Sequence, residues 1–523
     1  MLGPVIAMFL VLTFANIRMG ELNQDEGWYL YAAKNVAEGR MPYRDYAYTQ
    51  APILPLVYSL NHRFVAEGGI EAGRLFTGFL GIFAALLAGM LARRCVPRAW
   101  REVVFFLTFI LITCNVYHSY FTTVVKTYSL CAFFLMGGLL CLSRAPGAVG
   151  WKAFVWAALS GVLLALAAGT RISSGIAMPI AFVYLFWRTK FSDWKPWFGF
   201  GFGGGLALLA IFLPFAISSY ESFLFCVIQY HKERWIESGK FFVYKAGFIS
   251  RFVQAYFLYC VLLVTYIFIF IFKLNPAKEP EETDVPKSLN GCLWAIAIGM
   301  SFVHFTAAFP YDDYQVVVFP VLCVALAVGF VRLVMSIPDE TWARRTANGM
   351  VVVIFLGSVA ASFSSPVNMT WIMEGRDRIF WKTKEQSDLK ELREVARWLK
   401  ERTEPGDVLL TQDTYLAIEA GLNVPDGFEM GPFCYFAEWE DEQARALKVP
   451  NEAAMKKLLQ EAAPEYAAFS EYGLFLQCPE VKELPKEKQT ELWELLNQKY
   501  EEVKVVPRFG QGYTTLRIYK RRS

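Results

Sequence analysis

The sequence predicts a polytopic α-helical membrane protein that ends in a small α/β soluble domain. Three observations predict it: apolar residues gathered in blocks long enough to span lipid, basic residues gathered in alternate connections, and a change of composition after residue 380. Of the 523 residues 55% are hydrophobic and 19% charged, with a mean hydropathy of +0.33, which excludes an ordinary soluble enzyme. A formal net charge of +3 gives no basic surface for nucleic acid.

A helix crosses lipid in about 20 residues, and about eleven blocks approach that length. They lie near 2–18, 70–92, 102–117, 123–142, 152–169, 174–187, 197–217, 251–272, 290–309, 315–335 and 348–363. Short basic loops stay in the cytoplasm. Arg93, Arg94, Arg98 and Arg101 mark one such loop, Arg144 and Lys152 a second, Arg188, Lys190 and Lys195 a third, and Arg344 and Arg345 a fourth. Alternation then puts the N-terminus inside, and 19–69, 218–250 and the tail outside. The first block lacks a basic leader and a small-residue cleavage site before Arg18, so it reads as a retained span rather than a signal peptide. The expected organisation is a transmembrane domain over 1–365 and an extracytoplasmic α/β domain over 366–523. Most cysteines, Cys114, Cys131, Cys141, Cys260, Cys292 and Cys323 among them, fall in spans and act as small hydrophobes. Cys434 and Cys478 lie in the outer domain, where an oxidising compartment permits a bridge whose geometry the sequence does not fix.

The first long connection opens with Asp25-Glu26. Helical character runs from Glu26 to Glu38 and Gly39 stops it, while Pro42, Pro52 and Pro55 break the second half into short interfacial pieces. After residue 380, Lys384–Arg402 reads as a charged amphipathic helix stopped by Glu404-Pro405-Gly406-Asp407. Val408–Leu410 follows as a strand, with helices at 451–462 and 486–499 and strands at 465–469, 501–506 and 513–519.

Paired carboxylates at the outer mouth of a membrane protein are poorly explained by packing in lipid. The order Asp25-Glu26-x-x-Tyr29, then Arg40-x-x-Tyr43-Arg44-Asp45-Tyr46-x-x-Thr49-Gln50-x-Pro52, resembles the lipid-dependent glycosyltransferases of the C-type membrane fold. More closely it resembles their bacterial branch of protein mannosyltransferases and lipopolysaccharide-core transferases. VVKTYSL over 124–130, GTRISSGIAMP over 169–179 and FPYDDYQVVVFP over 309–320 stand where that resemblance wants them. It implies an inverting transfer of a sugar from a polyprenyl phosphate on the outer leaflet of the inner membrane. The acceptor would be a glycan, glycolipid or protein, and membrane lipid would surround the site. The first acid of the pair would be the base, with neither metal nor other cofactor. Aminoarabinose transferases of this fold carry a lysine before the proline where this chain has Ala51, which counts against an aminoarabinose donor or a lipid A phosphate acceptor.

Such a reaction needs a base for the acceptor proton and cations for the leaving phosphate. Asp25 is the candidate base, with Glu26 as its orienting neighbour or substitute; the plainer reading is a helix N-terminus favouring acids. Arg171 is the first candidate for the phosphate, since arginine presents a planar fork, and Lys126 the second; both also fit snorkelling helix ends. Arg74 is left out because Glu71, three residues earlier, can satisfy it. Tyr29, Arg44, Asp45, Tyr46 and Gln50 from the first loop and Tyr311, Asp313 and Tyr314 from the 309–320 turn are candidates for the substrate pocket. Arg44 with Asp45 equally fits a pair that fixes the loop. His62, His118, His231 and His304 all fall at outer ends but lack ligand spacing for zinc. A lipid transporter or flippase, and a ligase for whole lipid-linked oligosaccharides, remain the alternatives.

Overall fold

The computed structural model describes residues 2–189, 193–232, 240–272, 288–364, 386–470, 484–511 and 513–523. Helix α1 (Leu2–Met19) leads directly to α2 (Gln24–Ala37). Asn23 caps α2, and the Glu26 carboxylate reaches back to the Asn23 amide, closing a capping box that satisfies helix amides otherwise orphaned. Gly39, at φ +86°, follows the end of α2 as expected. After α3 (Ile53–Ser59) comes α4 (His62–Arg94), which is broken at Gly69 (φ +62°). Only glycine fits there: a Cβ would also lie 2.0 Å from a Glu419 carboxylate oxygen. That carboxylate accepts from the Ile70 amide at 2.8 Å, so the membrane stretch of α4 is capped from the C-terminal part of the chain.

Next come α5 (Arg101–Thr113), α6 (Val116–Thr123), α7 (Thr127–Arg144), α8 (Trp151–Thr170), α9 (Ala177–Thr189) and α10 (Lys195–Ser218). Each expected apolar block is mainly helical, yet the count of spans changes. Among the described residues six helices are long and apolar enough to cross a membrane, or eight if two bent pairs each count once. The chain is a multi-pass membrane protein, and among the described residues fewer helices meet that length than the eleven blocks expected. One bend, 75°, separates α5 from α6, where Asn115 accepts from the His118 amide and starts a new helix. The other, 92°, lies between Phe241–Ala255 and Phe257–Ile271. Helices α8 and α10 meet along a glycine seam: a Cβ on Gly203 would lie 2.5 Å from the Ala158 carbonyl oxygen, an approach that small residues permit in membranes.

The basic connections share one end of the bundle. Arg94 donates to the Ser143 hydroxyl at 2.8 Å and Arg332 to the Cys95 carbonyl, drawing the ends of α4, α7 and Phe319–Met335 together. The opposite ends of α7 and α8 carry Lys126 and Arg171.

The C-terminal part holds a four-stranded sheet in the order β1-β2-β4-β3, with β1 (Leu409–Thr411), β2 (Tyr466–Ser470), β3 (Tyr500–Phe509) and β4 (Thr514–Arg521). β1 pairs in parallel with β2 (Leu410 opposite Ala467), and β4 runs antiparallel to both β2 and β3. All four expected strands are present. The amphipathic helix is Asp388–Lys400, buried through Leu389, Leu392, Val395 and Leu399; Glu452–Glu461 and Lys486–Lys499 match the other two. Short helices at Thr414–Ala420 and Asp441–Ala446 are additions to the expectation. Trp28, Leu30 and Tyr31 of α2 share one apolar core with Leu392, Tyr415, Leu416 and Phe428. The expected boundary at 365/366 and Cys478 lie outside the described residues. The Cys434 thiol donates to the Gly431 carbonyl at 3.0 Å.

Candidate active site

Adjacent helical residues point about 100° apart, because a turn takes 3.6 residues, so Asp25 and Glu26 have different surroundings. Glu26 is fully buried and forms a fork with Arg74: Arg74 Nη2 to Oε2 is 2.6 Å and Nε to Oε1 is 2.7 Å. It also accepts from the Asn23 and Val125 amides. Arg74 uses its remaining donors on the carbonyls of Asn16, Ile17, Gly20 and Glu21. The expected pairing of Arg74 with Glu71 is replaced by this one; Glu71 instead meets Arg18 and Arg393. A charge in an apolar helix needs a partner, and Glu26 is nearer to hand than the residue one turn away.

Asp25 faces the other way, with its side chain one-quarter exposed. Its Oδ2 lies 2.9 Å from Lys126 Nζ and its Oδ1 accepts from the Trp28 indole at 3.0 Å. Lys126 also reaches Asp313 Oδ2 at 2.8 Å, so one ammonium joins two carboxylates from separate segments. Burial works against that ammonium, but Asp25 and Asp313 outweigh it and hold it charged well above the ordinary lysine range. Burial likewise opposes the Asp313 carboxylate, and Lys126 outweighs it, keeping Asp313 below its ordinary range.

Next to Asp313, the Tyr314 ring lies 4.3 Å under the Arg171 guanidinium, with Tyr128 on another side at 5.1 Å. Arg171 donates to the Thr127 hydroxyl, its Nε–H is buried without a partner, and among the described residues no carboxylate lies within ion-pair distance of it. Tyr29, stacked on Trp28 at 3.9 Å, is buried; burial first and then Asp25 push its hydroxyl up, against the pull of Arg171 and Lys126. Asp25, Tyr29, Lys126, Arg171, Asp313 and Tyr314 thus form one continuous site. Tyr311 stands at its edge, ring to ring with Tyr314 at 5.6 Å. Asp312 turns instead to Arg251 and accepts from the buried Tyr117 hydroxyl.

The remaining first-loop candidates are engaged elsewhere. Arg44 pairs with Asp45, which also accepts from the Met41 amide. The Tyr46 hydroxyl donates to the Ala32 carbonyl and the Tyr43 hydroxyl to the Gln50 carbonyl. These bonds fix the loop, and none of them reaches Asp25, Lys126 or Arg171. The histidines are dispersed: His304 bridges Ser173 and Gln315, and His231 meets the Thr49 carbonyl. Among the described residues no three His, Cys, Asp or Glu side chains come together. Trp28 and Tyr128 join the site unannounced. Trp28 follows Asp25 by three residues, the spacing of helix neighbours, and that is the one signal the sequence held for it.

A scan of protein families and a search of curated proteins find no match to this chain. Solved structures do match. ArnT from Cupriavidus metallidurans in the apo state superposes with a TM-score of 0.60 at 15% identity, over 99% of this chain and 97% of that one. The same protein bound to undecaprenyl phosphate gives 0.60 at 14% identity, over 99% and 97%. The chain has the fold of ArnT. An oligosaccharyltransferase from Archaeoglobus fulgidus, in complex with zinc and sulfate, matches with a TM-score of 0.46 at 11% identity, over 96% of this chain and 72% of that one. In this fold Lys126 and Arg171, with Asp25 and Asp313 on Lys126, lie at the bundle end opposite the basic connections.

Proposed function

We propose that this protein transfers a monosaccharide from a polyprenyl-phosphate donor to an acceptor hydroxyl at the outer face of the inner membrane, with inversion at the anomeric carbon. The observation that carries the reading is the division of labour in the acid pair. Glu26 is fully buried and committed to Arg74, whereas Asp25 is reachable and held by Lys126 and Trp28. A base must be within reach of the proton it takes, so Asp25 takes the role and Glu26 holds the first turn of α2 in place. Lys126, engaged with Asp25 and Asp313, orients the base. Arg171, with no carboxylate partner within ion-pair distance among the described residues, is left for the phosphate.

In the step itself the acceptor oxygen attacks the anomeric carbon while Asp25 takes its proton. The bond from that carbon to the phosphate oxygen breaks, and its electron pair leaves with the phosphate, where Arg171 stabilises the growing charge. A phosphate leaves as an anion, so a second acid to protonate it is unnecessary. The likeness to ArnT bound to undecaprenyl phosphate supports a lipid-phosphate donor. The opposition of site and basic connections supports an extracytoplasmic site with the N-terminus inside. The transferase unit would be 1–365, with 366–523 covering the site.

The test offers purified protein in detergent a panel of radiolabelled polyprenyl-phosphate sugars with a crude envelope acceptor fraction. Label passing to the acceptor with wild type and not with Asp25→Asn is the expected result. Wild-type transfer by Asp25→Asn removes the mechanism. Silence of folded wild type across the panel favours transport or oligosaccharide ligation.

A further inference from the structure

Asp413 is a fully buried carboxylate in an unusual position. It stands at the N-cap of the helix Thr414–Ala420, yet its side chain makes no capping bond. Asp side chains at that position ordinarily satisfy a helix amide. Here Oδ1 accepts instead from Gln24 Nε2 at 3.0 Å, the Tyr415 hydroxyl at 3.0 Å and the Ser470 hydroxyl at 3.2 Å, and Oδ2 accepts from the Ser470 amide. A buried carboxylate is costly unless its bonds are complete, and one of these bonds leaves the C-terminal part to reach the residue preceding Asp25.

Other contacts converge on the same turn. The Gln24 amide, the first of the helix, donates to Gln511 Oε1 at 2.7 Å, and the Leu22 amide donates to Asp388 Oδ2 at 2.9 Å. Gln24 Nε2 also reaches the Tyr415 hydroxyl at 3.3 Å. Gly27 lets the two parts close: a Cβ there would lie 2.2 Å from the Tyr415 amide nitrogen. On the far side of Asp25, the Phe433 ring stands edge-on to Trp28 at 6.4 Å, and Trp28 is the residue whose indole holds Asp25. The C-terminal part therefore grips the base-bearing turn both before and after the base.

We infer that Asp413 is a positioning residue for the proposed transfer: through Gln24 it fixes the first turn of α2 and, with it, the carboxylate of Asp25. This rests on Asp25 being the base. Misplacing a reacting group by about 1 Å can cost on the order of 10²-fold in rate, so the effect belongs in kcat. Residues acting through one contact should also be non-additive.

The experiment uses the full-length protein in detergent, with Gln24→Ala, Asp413→Ala, Asp413→Asn and the double variant Gln24→Ala/Asp413→Ala. Each is assayed for transfer and for hydrogen exchange in the 21–30 segment. The expected result is a fall in kcat of about tenfold or more for each alanine variant, with the donor KM within about twofold. The double variant should be no slower than the worse single one, Asp413→Asn should regain part of the loss because it keeps an acceptor oxygen, and exchange at the first turn of α2 should quicken. Unchanged kcat in an active enzyme, multiplicative losses, or a rise in KM alone would overturn the inference. If Asp413→Ala does not fold, Gln24→Ala decides the matter from the α2 side. If wild type uses no donor, the reaction reading fails separately, and unchanged exchange in Gln24→Ala removes the positioning role as well.

Discussion

Exchanging Glu26 for glutamine, beside the exchange of Asp25 for asparagine, separates the two acids. Glu26→Gln keeps the shape of the side chain but leaves the Arg74 guanidinium buried without its counter-charge. At an effective dielectric of about 20 and a charge separation of about 4 Å, the lost attraction is roughly 4 kcal/mol. Removing one partner of a buried pair costs about 3–5 kcal/mol. Arg74 retains its bonds to the Asn16, Ile17, Gly20 and Glu21 carbonyls, which places the loss near the lower end, about 3 kcal/mol. With an unfolding entropy of about 2.1 cal/mol/K per residue over 523 residues, a chain melting as one unit loses roughly 3 °C. Asp25→Asn removes a one-quarter-exposed carboxylate and should melt within about 1 °C of wild type while losing transfer. Thermal unfolding by fluorescence-detected gel filtration, run beside the transfer assay, reads both. A Glu26→Gln variant that melts like wild type yet is inactive would refute the assignment and hand the chemistry to Glu26.

Three further outcomes follow from the same geometry. Arg171→Lys keeps the charge but loses the planar fork stacked between Tyr128 and Tyr314, and turnover measured with a saturating lipid donor should fall on the order of 10²-fold. Gly27→Ala drives a methyl into the Tyr415 backbone, an overpacking of about 1–3 kcal/mol that should appear as faster proteolysis between α2 and the C-terminal part. Burial pushes Glu429 up to about 7 from 4.5, despite Arg40 beside it. Its stabilising contribution is therefore full below pH 4.5 and is lost as pH rises through about 7; melting of Glu429→Gln between pH 5 and pH 8 should lack that part of the decline, and an identical slope would contradict it.

Much of the architecture was legible in local pattern. The apolar blocks marked the helices, Gly39 marked the end of α2, and alternating strand and helix signals after residue 400 marked all four strands. The span count was less legible: two apolar blocks are bent, one of them at Asn115, and Gly3–Met19 and Phe319–Met335 are shorter than 18 residues. Hydropathy averages over a window and cannot register one side chain capping one amide. At the site, residue type picked out Asp25, Lys126, Arg171 and Asp313, since charges beside apolar spans are costly wherever they lack a purpose. Direction was the missing quantity. Asp25 and Glu26 look equivalent in a string of letters and differ only in which side of α2 faces Arg74. The partners of Lys126 were equally hidden, because Asp313 stands 187 residues away.

The cap on α4 carries a consequence for the order of assembly. Glu419 closes the Ile70 amide, Gln511 closes the first amide of α2, and Asp388 closes that of Leu22. Each donor lies at or before residue 70, and each acceptor at or beyond residue 388. Domains generally fold as they emerge, N-terminal first, so the amides of Ile70 and Gln24 stay open until Glu419 and Gln511 have been made. A ribosome-bound intermediate thus carries Asp25 on a turn held by its own capping box and by Arg74, and synthesis of the C-terminal part adds the outer contacts to it.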